Sequence, residues 1–310
     1  MSLSVGKLRG LQQCTTPDGL FLIVALDQRQ SLRAALNPTN PDSISFSEMA
    51  LFKTELSRAL SAVSSAVLLD PEFGAAPAIA ANAIAGSCGL IVSLEANGPT
   101  AKPTARKSQL LPGWSVEQTA RMGAAAVKFM LMYNPAAKNA EDQELLVREV
   151  AAMCRDYDIP FLLEPVLYAA EDEPTLTVET ARRLAPLGAD VYVATLPGPD
   201  REPAWESAAR ALDAACPVPW IIRGGDAPFD VFSRQAEVAC RAGASGVLAG
   251  TAVWQEAVAL RGDAQIDFVN KTAVSRLVEL GDLIAEHATS WTDIHQSSLA
   301  DIPADWYESY

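Results

Sequence analysis

A (β/α)8 TIM barrel is the fold this sequence predicts, with a short C-terminal extension. Eight strand-length apolar runs, near residues 21–26, 66–69, 90–94, 125–131, 160–163, 191–195, 219–222 and 246–249, recur along the chain. They are continuously apolar rather than alternating, as expected of parallel strands covered on both faces. Helical patterns fall between them, and alternation of the two element types indicates a parallel sheet wrapped by helices. At 310 residues the length suits one such domain over 1–310, with 289–310 as a tail. An open doubly wound sheet is disfavoured, because no Gly-x-Gly-x-x-Gly turn follows the first run.

The helices are expected over 45–60, 77–87, 116–122, 142–157, 178–187, 203–216 and 229–242. Start signals such as Ser115-Val116-Glu117 and Thr177-Val178-Glu179 open two of them, and Gly123, Gly188 and Gly243 lie near helix ends. A further helix is expected over 274–288. Beyond it, Trp291, Trp306, Tyr307 and Tyr310 are placed to pack across the barrel or against a second copy of the chain. A Pro-, Thr- and Lys-containing stretch, 97–107, reads as a mobile loop above the third strand.

Composition narrows the function. Hydrophobic residues make up 49% and charged residues 20%, enough for a substantial core. No apolar run reaches the length of a membrane span and the N-terminus carries no signal-peptide pattern, so a soluble, cytoplasmic protein is expected. The formal charge of −14, without a basic stripe, argues against nucleic acid as a partner. Five scattered cysteines read as reduced thiols. The two histidines, His287 and His295, both follow the last strand, so a histidine metal site or a histidine base inside the barrel is excluded. No cofactor is expected, and the chemistry falls to lysine, carboxylates, hydroxyls or backbone groups.

In a barrel of this kind the site forms at the carboxyl ends of the strands. Those positions hold Asp27, Gln28 and Arg29, then Asp70, Glu95, Lys128, Glu164, Thr195, Arg223 and the pair Gly250-Thr251. Lys128 stands within the run Ala125-Ala126-Val127-Lys128-Phe129-Met130-Leu131. Burial disfavours the ammonium form, so a nucleophilic amine near neutral pH is expected there. The alternative is a lysine paired with Glu164 or Asp27 only to organise the barrel. Glu164, closing the fifth run, suits proton transfer in carbonyl chemistry. Asp27, Gln28 and Arg29 suit polyol binding. Gly224 and Gly225 after the seventh run, with Gly250 and Thr251 after the eighth, are expected to offer backbone N–H groups to an anion.

The segments Ala25-Leu26-Asp27-Gln28-Arg29, Leu68-Leu69-Asp70-Pro71-Glu72-Phe73-Gly74, Val127-Lys128-Phe129, Phe161-Leu162-Leu163-Glu164-Pro165 and 242–254 together resemble the class I tagatose 1,6-bisphosphate aldolase family, which includes sulfofructose phosphate aldolases. The resemblance runs in order over about residues 17–285. It implies the same barrel and metal-free cleavage of a ketose into a dihydroxyacetone unit and an aldehyde. By the resemblance, Asp27 and Gln28 bind substrate, Lys128 is the accessory lysine of the fourth strand, and Glu164 transfers protons.

Two departures stand out. Val193 occupies the family's Schiff-base lysine position on the sixth strand, and Thr251 replaces its anion-gripping arginine. The turn after the seventh strand is also changed, to Arg223-Gly224-Gly225-Asp226. Three readings stay open: an aldolase using Lys128 as the imine-forming residue, a sugar epimerase or isomerase using Glu164 with Lys128, and a non-catalytic sugar-binding relative. A small sugar or sugar phosphate is the expected partner in each, and a homo-oligomer is one expected assembly.

Overall fold

Strand order in the computed structural model is β1-β2-β3-β4-β5-β6-β7-β8, closed on itself by pairing of β1 with β8. The strands are β1 (Phe21–Leu26), β2 (Ala66–Leu69), β3 (Gly89–Ser93), β4 (Ala126–Tyr133), β5 (Phe161–Leu167), β6 (Val191–Ala194), β7 (Trp220–Arg223) and β8 (Gly246–Ala249). All eight pairings are parallel, and the predicted TIM barrel is what the chain forms. The structure describes residues 3–98, 106–168, 173–197, 199–297, 302–308 and 310, excepting the side chains of 173, 174 and 199–201. Most of the loop expected over 97–107 lies outside the described residues.

The apolar runs form strands because both of their faces are covered. Phe21, Ile23, Ala66, Leu68, Ile91, Ala126, Leu162, Val191, Val193 and Ile221 cluster inside the barrel, while the alternate residues pack beneath the helices. β4 and β5 run past the expected ends, to Tyr133 and Leu167, because they stay in register over seven residue pairs.

Some helix boundaries follow local signals, although the helix expected to open at Thr177 already begins at Glu173 and runs to Leu184. Ser45 caps the helix Phe46–Leu60 with a complete capping box to Glu48. Gly123, Gly188 and Gly243 adopt left-handed backbone just past helices, with φ of 87°, 112° and 122°. The helix expected over 77–87 is only Ala75–Ala80, and Asn82 follows in the left-handed region with φ of 49°.

The amino end of the barrel is sealed. The unexpected helix Val5–Cys14 places Leu11 and Cys14 against the inner cluster, and Trp291 joins them. Trp291 Nε1 donates to Thr15 Oγ1 at 3.3 Å, and its backbone N–H donates to the Gly19 carbonyl at 3.1 Å. This aromatic of the tail therefore packs across the barrel, whereas Trp306 and Tyr310 meet edge to face at the surface. With its floor sealed, the barrel opens at the carboxyl ends of its strands.

Candidate active site

Side-chain alternation decides what faces the opening. Ala25 on β1, Ala126 on β4 and Leu162 on β5 point inward, so Asp27, Lys128 and Glu164, each two residues further along, point inward as well. Together with Glu95, just past β3, they line a cavity of about 330 Å3. Its rim includes Gln28, Arg29, Asn97, Arg223, Gly224, Gly225, Asp226, Gly250 and Thr251.

Lys128 is at the centre and its side chain is 2% exposed. Nζ lies 2.7 Å from Asp27 Oδ2, 2.8 Å from Glu164 Oε2 and 3.0 Å from Glu95 Oε1. The sequence expectation of a neutral amine is corrected here. Burial does pull the lysine pKa down, but Asp27, Glu164 and Glu95 overcome it and hold the group well above its usual value. Burial likewise pushes the Asp27 carboxyl up, and the adjacent Lys128 ammonium brings it below the usual carboxylate range. In the resting site Lys128 is an ammonium ion held by three carboxylates.

A second tier fixes these acids. Glu95 also accepts the Met130 backbone N–H at 3.0 Å, locking its carboxylate to β4. Arg29 Nη1 donates to Glu72 Oε2 at 2.8 Å, while Nη2 stands 3.7 Å from Glu95 Oε1. Burial lowers the guanidinium pKa, but Glu95 and Glu72 raise it overall, so Arg29 stays charged. Arg223 Nε lies 3.1 Å from Glu164 Oε1, near enough for ionic attraction but too oblique for a hydrogen bond. Glu164 thus sits between Lys128 and Arg223. Gln28 Oε1 is buried without a hydrogen-bond partner among the described residues.

Asp70 is placed elsewhere. It is fully buried, is not on the cavity wall, and pairs with Lys53 Nζ, which also donates to the Leu26 carbonyl at 2.8 Å. Burial pulls Lys53 down and pushes Asp70 up, so both partners lean toward their neutral forms. Lys53 lies on a helix that shows no site signal in the sequence, yet it is one of the most deeply buried side chains. Its side chain is 1% exposed and reaches from the helix Phe46–Leu60 to the end of β1. The one available signal was its position three residues from Ala50 and Leu56 on the buried helix face. Lys7 is a further buried lysine, beneath the barrel at 2.6 Å from Asp190.

At the β7–β8 corner Gly224, Gly225, Gly250 and Thr251 line the same cavity, as expected, and a side-chain bond joins their loops. Thr251 Oγ1 donates to the Gly225 carbonyl at 3.2 Å, stitching the two loops together. Gly225 has φ of 56°, which favours glycine, and a Cβ on Gly224 would stand 2.7 Å from the Phe232 ring. The exposed Asp226 carboxylate follows on the same rim. Val193, inward on β6, is completely buried.

A closed parallel barrel with an inward lysine and carboxylates at its mouth is an arrangement suited to carbonyl chemistry. A family model described as DeoC/LacD family aldolase matches residues 21–256, spanning all eight strands. The chain belongs to this aldolase family and is a carbon–carbon lyase, as the resemblance implied. It is 26% identical over 328 residues to the tagatose 1,6-diphosphate aldolase of Staphylococcus aureus (strain JH9), covering 94% of this chain and 99% of that one. The barrel of an archaeal fructose 1,6-bisphosphate aldolase superposes with a TM-score of 0.59 at 23% identity, over 87% of this chain and 98% of that one. The fructose-bisphosphate aldolase of Slackia heliotrinireducens shares the fold with a TM-score of 0.65 at 16% identity, over 95% and 92% of the two chains. No helix among the described residues is long and apolar enough to cross a membrane.

Proposed function

We propose that this aldolase cleaves and forms a carbon–carbon bond in a ketose or ketose phosphate through an imine on Lys128. One observation carries the reading: Lys128 is the only lysine among the described residues on the cavity wall, and its Nζ lies within 2.8 Å of both Asp27 and Glu164. Val193 has no amine to offer.

The resting ammonium must lose a proton before it attacks. A carboxylate already in contact with Nζ takes that proton, turning a buried ion pair into a neutral pair as substrate expels water. The amine then adds to the ketone carbon, and the carbonyl oxygen leaves as water, giving a protonated imine. Glu164 or Asp27 removes the proton of the hydroxyl next to the scissile bond. That bond breaks, its electron pair flows to the imine nitrogen, and the aldehyde departs. The remaining enamine takes a proton at carbon from the same acid, and water hydrolyses the imine to free Lys128.

Borohydride added with fructose or dihydroxyacetone is expected to leave a mass increment that peptide mapping places on Lys128. An adduct on another residue, or none during active turnover, overturns the assignment. The three carboxylates favour one second reading, in which Lys128 remains an ammonium, polarises the carbonyl and leaves Glu164 to move a proton for epimerisation or isomerisation. Solvent deuterium entering the ketose without cleavage and without an adduct is its signature. A reducing, cytoplasmic setting is supported by the five free cysteines, and a second copy of the chain as partner is consistent with the exposed aromatic tail.

A further inference from the structure

We propose that the substrate of this site is an unphosphorylated, uncharged polyhydroxy ketone. The inference rests on the aldolase reading and narrows its substrate class.

Charge on the cavity wall carries it. Lys128, Arg29 and Arg223 are the cations on that wall among the described residues, and each faces carboxylates of the protein itself. Against them stand Asp27, Glu95, Glu164 and Asp226 on the same wall, with Glu72 behind Arg29. Binding a phosphate dianion would mean competing with a carboxylate for every one of these cations. The formal charge of −14 adds no long-range attraction for an anion.

The corner formed by the loops after β7 and β8, where barrels of this class often hold phosphate, is dressed with acceptors. The Gly225 carbonyl is there, the Thr251 hydroxyl already spends its proton on that carbonyl, and Asp226 contributes a carboxylate. The helix beginning at Thr251 has only four residues and supplies no N-terminal anion site of note. Gln28, whose amide approaches the space beside Gly250, buries an acceptor oxygen without a partner. Such an oxygen needs a donor, and a hydroxyl of a polyol supplies one. A volume of about 330 Å3 is at the small end of the range for ligand pockets, roughly 300–1,000 Å3.

The test compares matched ligands on the full chain: fructose, tagatose, sorbose and psicose against fructose 1,6-bisphosphate and tagatose 1,6-bisphosphate, with inorganic phosphate as competitor. The expected result is a kcat/KM at least about tenfold higher for an unphosphorylated ketose, with no competition by phosphate. A preference for either bisphosphate, or competitive inhibition by phosphate, overturns the inference. Should no ligand be cleaved and no adduct be trapped, the aldolase mechanism fails separately, and calorimetric binding decides the substrate class. Tighter binding of a neutral ketose then upholds it, while tighter bisphosphate binding, or no ketose binding, overturns it. Asp226→Asn, an exposed change, is expected to narrow the selectivity between the two classes severalfold. An unchanged ratio counts against the acceptor-lined corner.

Discussion

Two buried lysines stand near the mouth of this barrel and behave oppositely. Lys128 is surrounded by three carboxylates and held above its ordinary pKa, beside an open cavity. Lys53 has one carboxylate partner, Asp70, is drawn below its ordinary pKa, and is not on the cavity wall. Their burial is nearly the same, so burial alone does not set the direction of the pKa shift. The number of facing carboxylates sets the direction of the shift, and of the two lysines Lys128 is the one on the cavity wall. Lys53 fixes the end of β1 through the Leu26 carbonyl, immediately before Asp27, and so positions an acid that contacts Lys128.

The largest expected effect that sharpens this contrast is loss of Lys128. Lys128→Met should lower cleavage at least about a thousandfold and abolish borohydride trapping. It also leaves three carboxylates facing one another, costing about 3–5 kcal/mol in urea unfolding. Retained cleavage in this variant would remove Lys128 from the chemistry. Lys53→Met should cost stability on the same scale, about 3–5 kcal/mol, by stranding Asp70 in the interior. Its folded fraction should still give the Lys128 adduct, and Lys53→Met with Asp70→Leu should recover most of the stability. If Lys53→Met is folded yet yields no adduct, the division of labour between the two lysines is wrong.

The same contrast explains what could be read from sequence. Lys128 was legible because it interrupts an apolar strand run, and inward parity then carried Asp27 and Glu164 to the same cavity. Lys53 was not, because its helix mixes Glu48, Lys53, Thr54 and Glu55 with apolar residues. Its burial arises only when that helix closes over β1 and β2. The charge of Lys128 escaped for a related reason: it depends on Glu95 and Asp27, 33 and 101 positions earlier (128 − 95 and 128 − 27), meeting around one nitrogen. Gly224-Gly225 and Gly250-Thr251 were legible as loop residues at the mouth, but the Thr251 hydroxyl bond to the Gly225 carbonyl was not, being set by the distance between two loops. Covering of the barrel floor by the helix Val5–Cys14 and Trp291 joins opposite ends of the chain and leaves no local pattern.

The smallest expected effect is also the most direct comparison of the two environments, because Asp27 and Asp70 follow the registered pair Leu26 and Leu69 on adjacent strands. Burial pushes both carboxyls up; Lys128 brings Asp27 below its ordinary value, whereas Lys53 fails to do so for Asp70. An unfolded aspartate titrates near about 3.9. Asp27, depressed in the fold, contributes stability that is complete above that value and is lost as pH falls through its folded pKa. Asp70, raised in the fold, binds its proton more readily when folded. Its contribution grows as pH falls from its folded pKa toward about 3.9 and is constant below that. Urea midpoints across acid pH should therefore show the gap between wild type and Asp27→Asn closing below about pH 4. The gap for Asp70→Asn should move with the opposite sign, and above about pH 4. Two gaps that change with the same sign would mean that three carboxylates around Lys128 and one around Lys53 create no electrostatic difference, contrary to the geometry of both clusters.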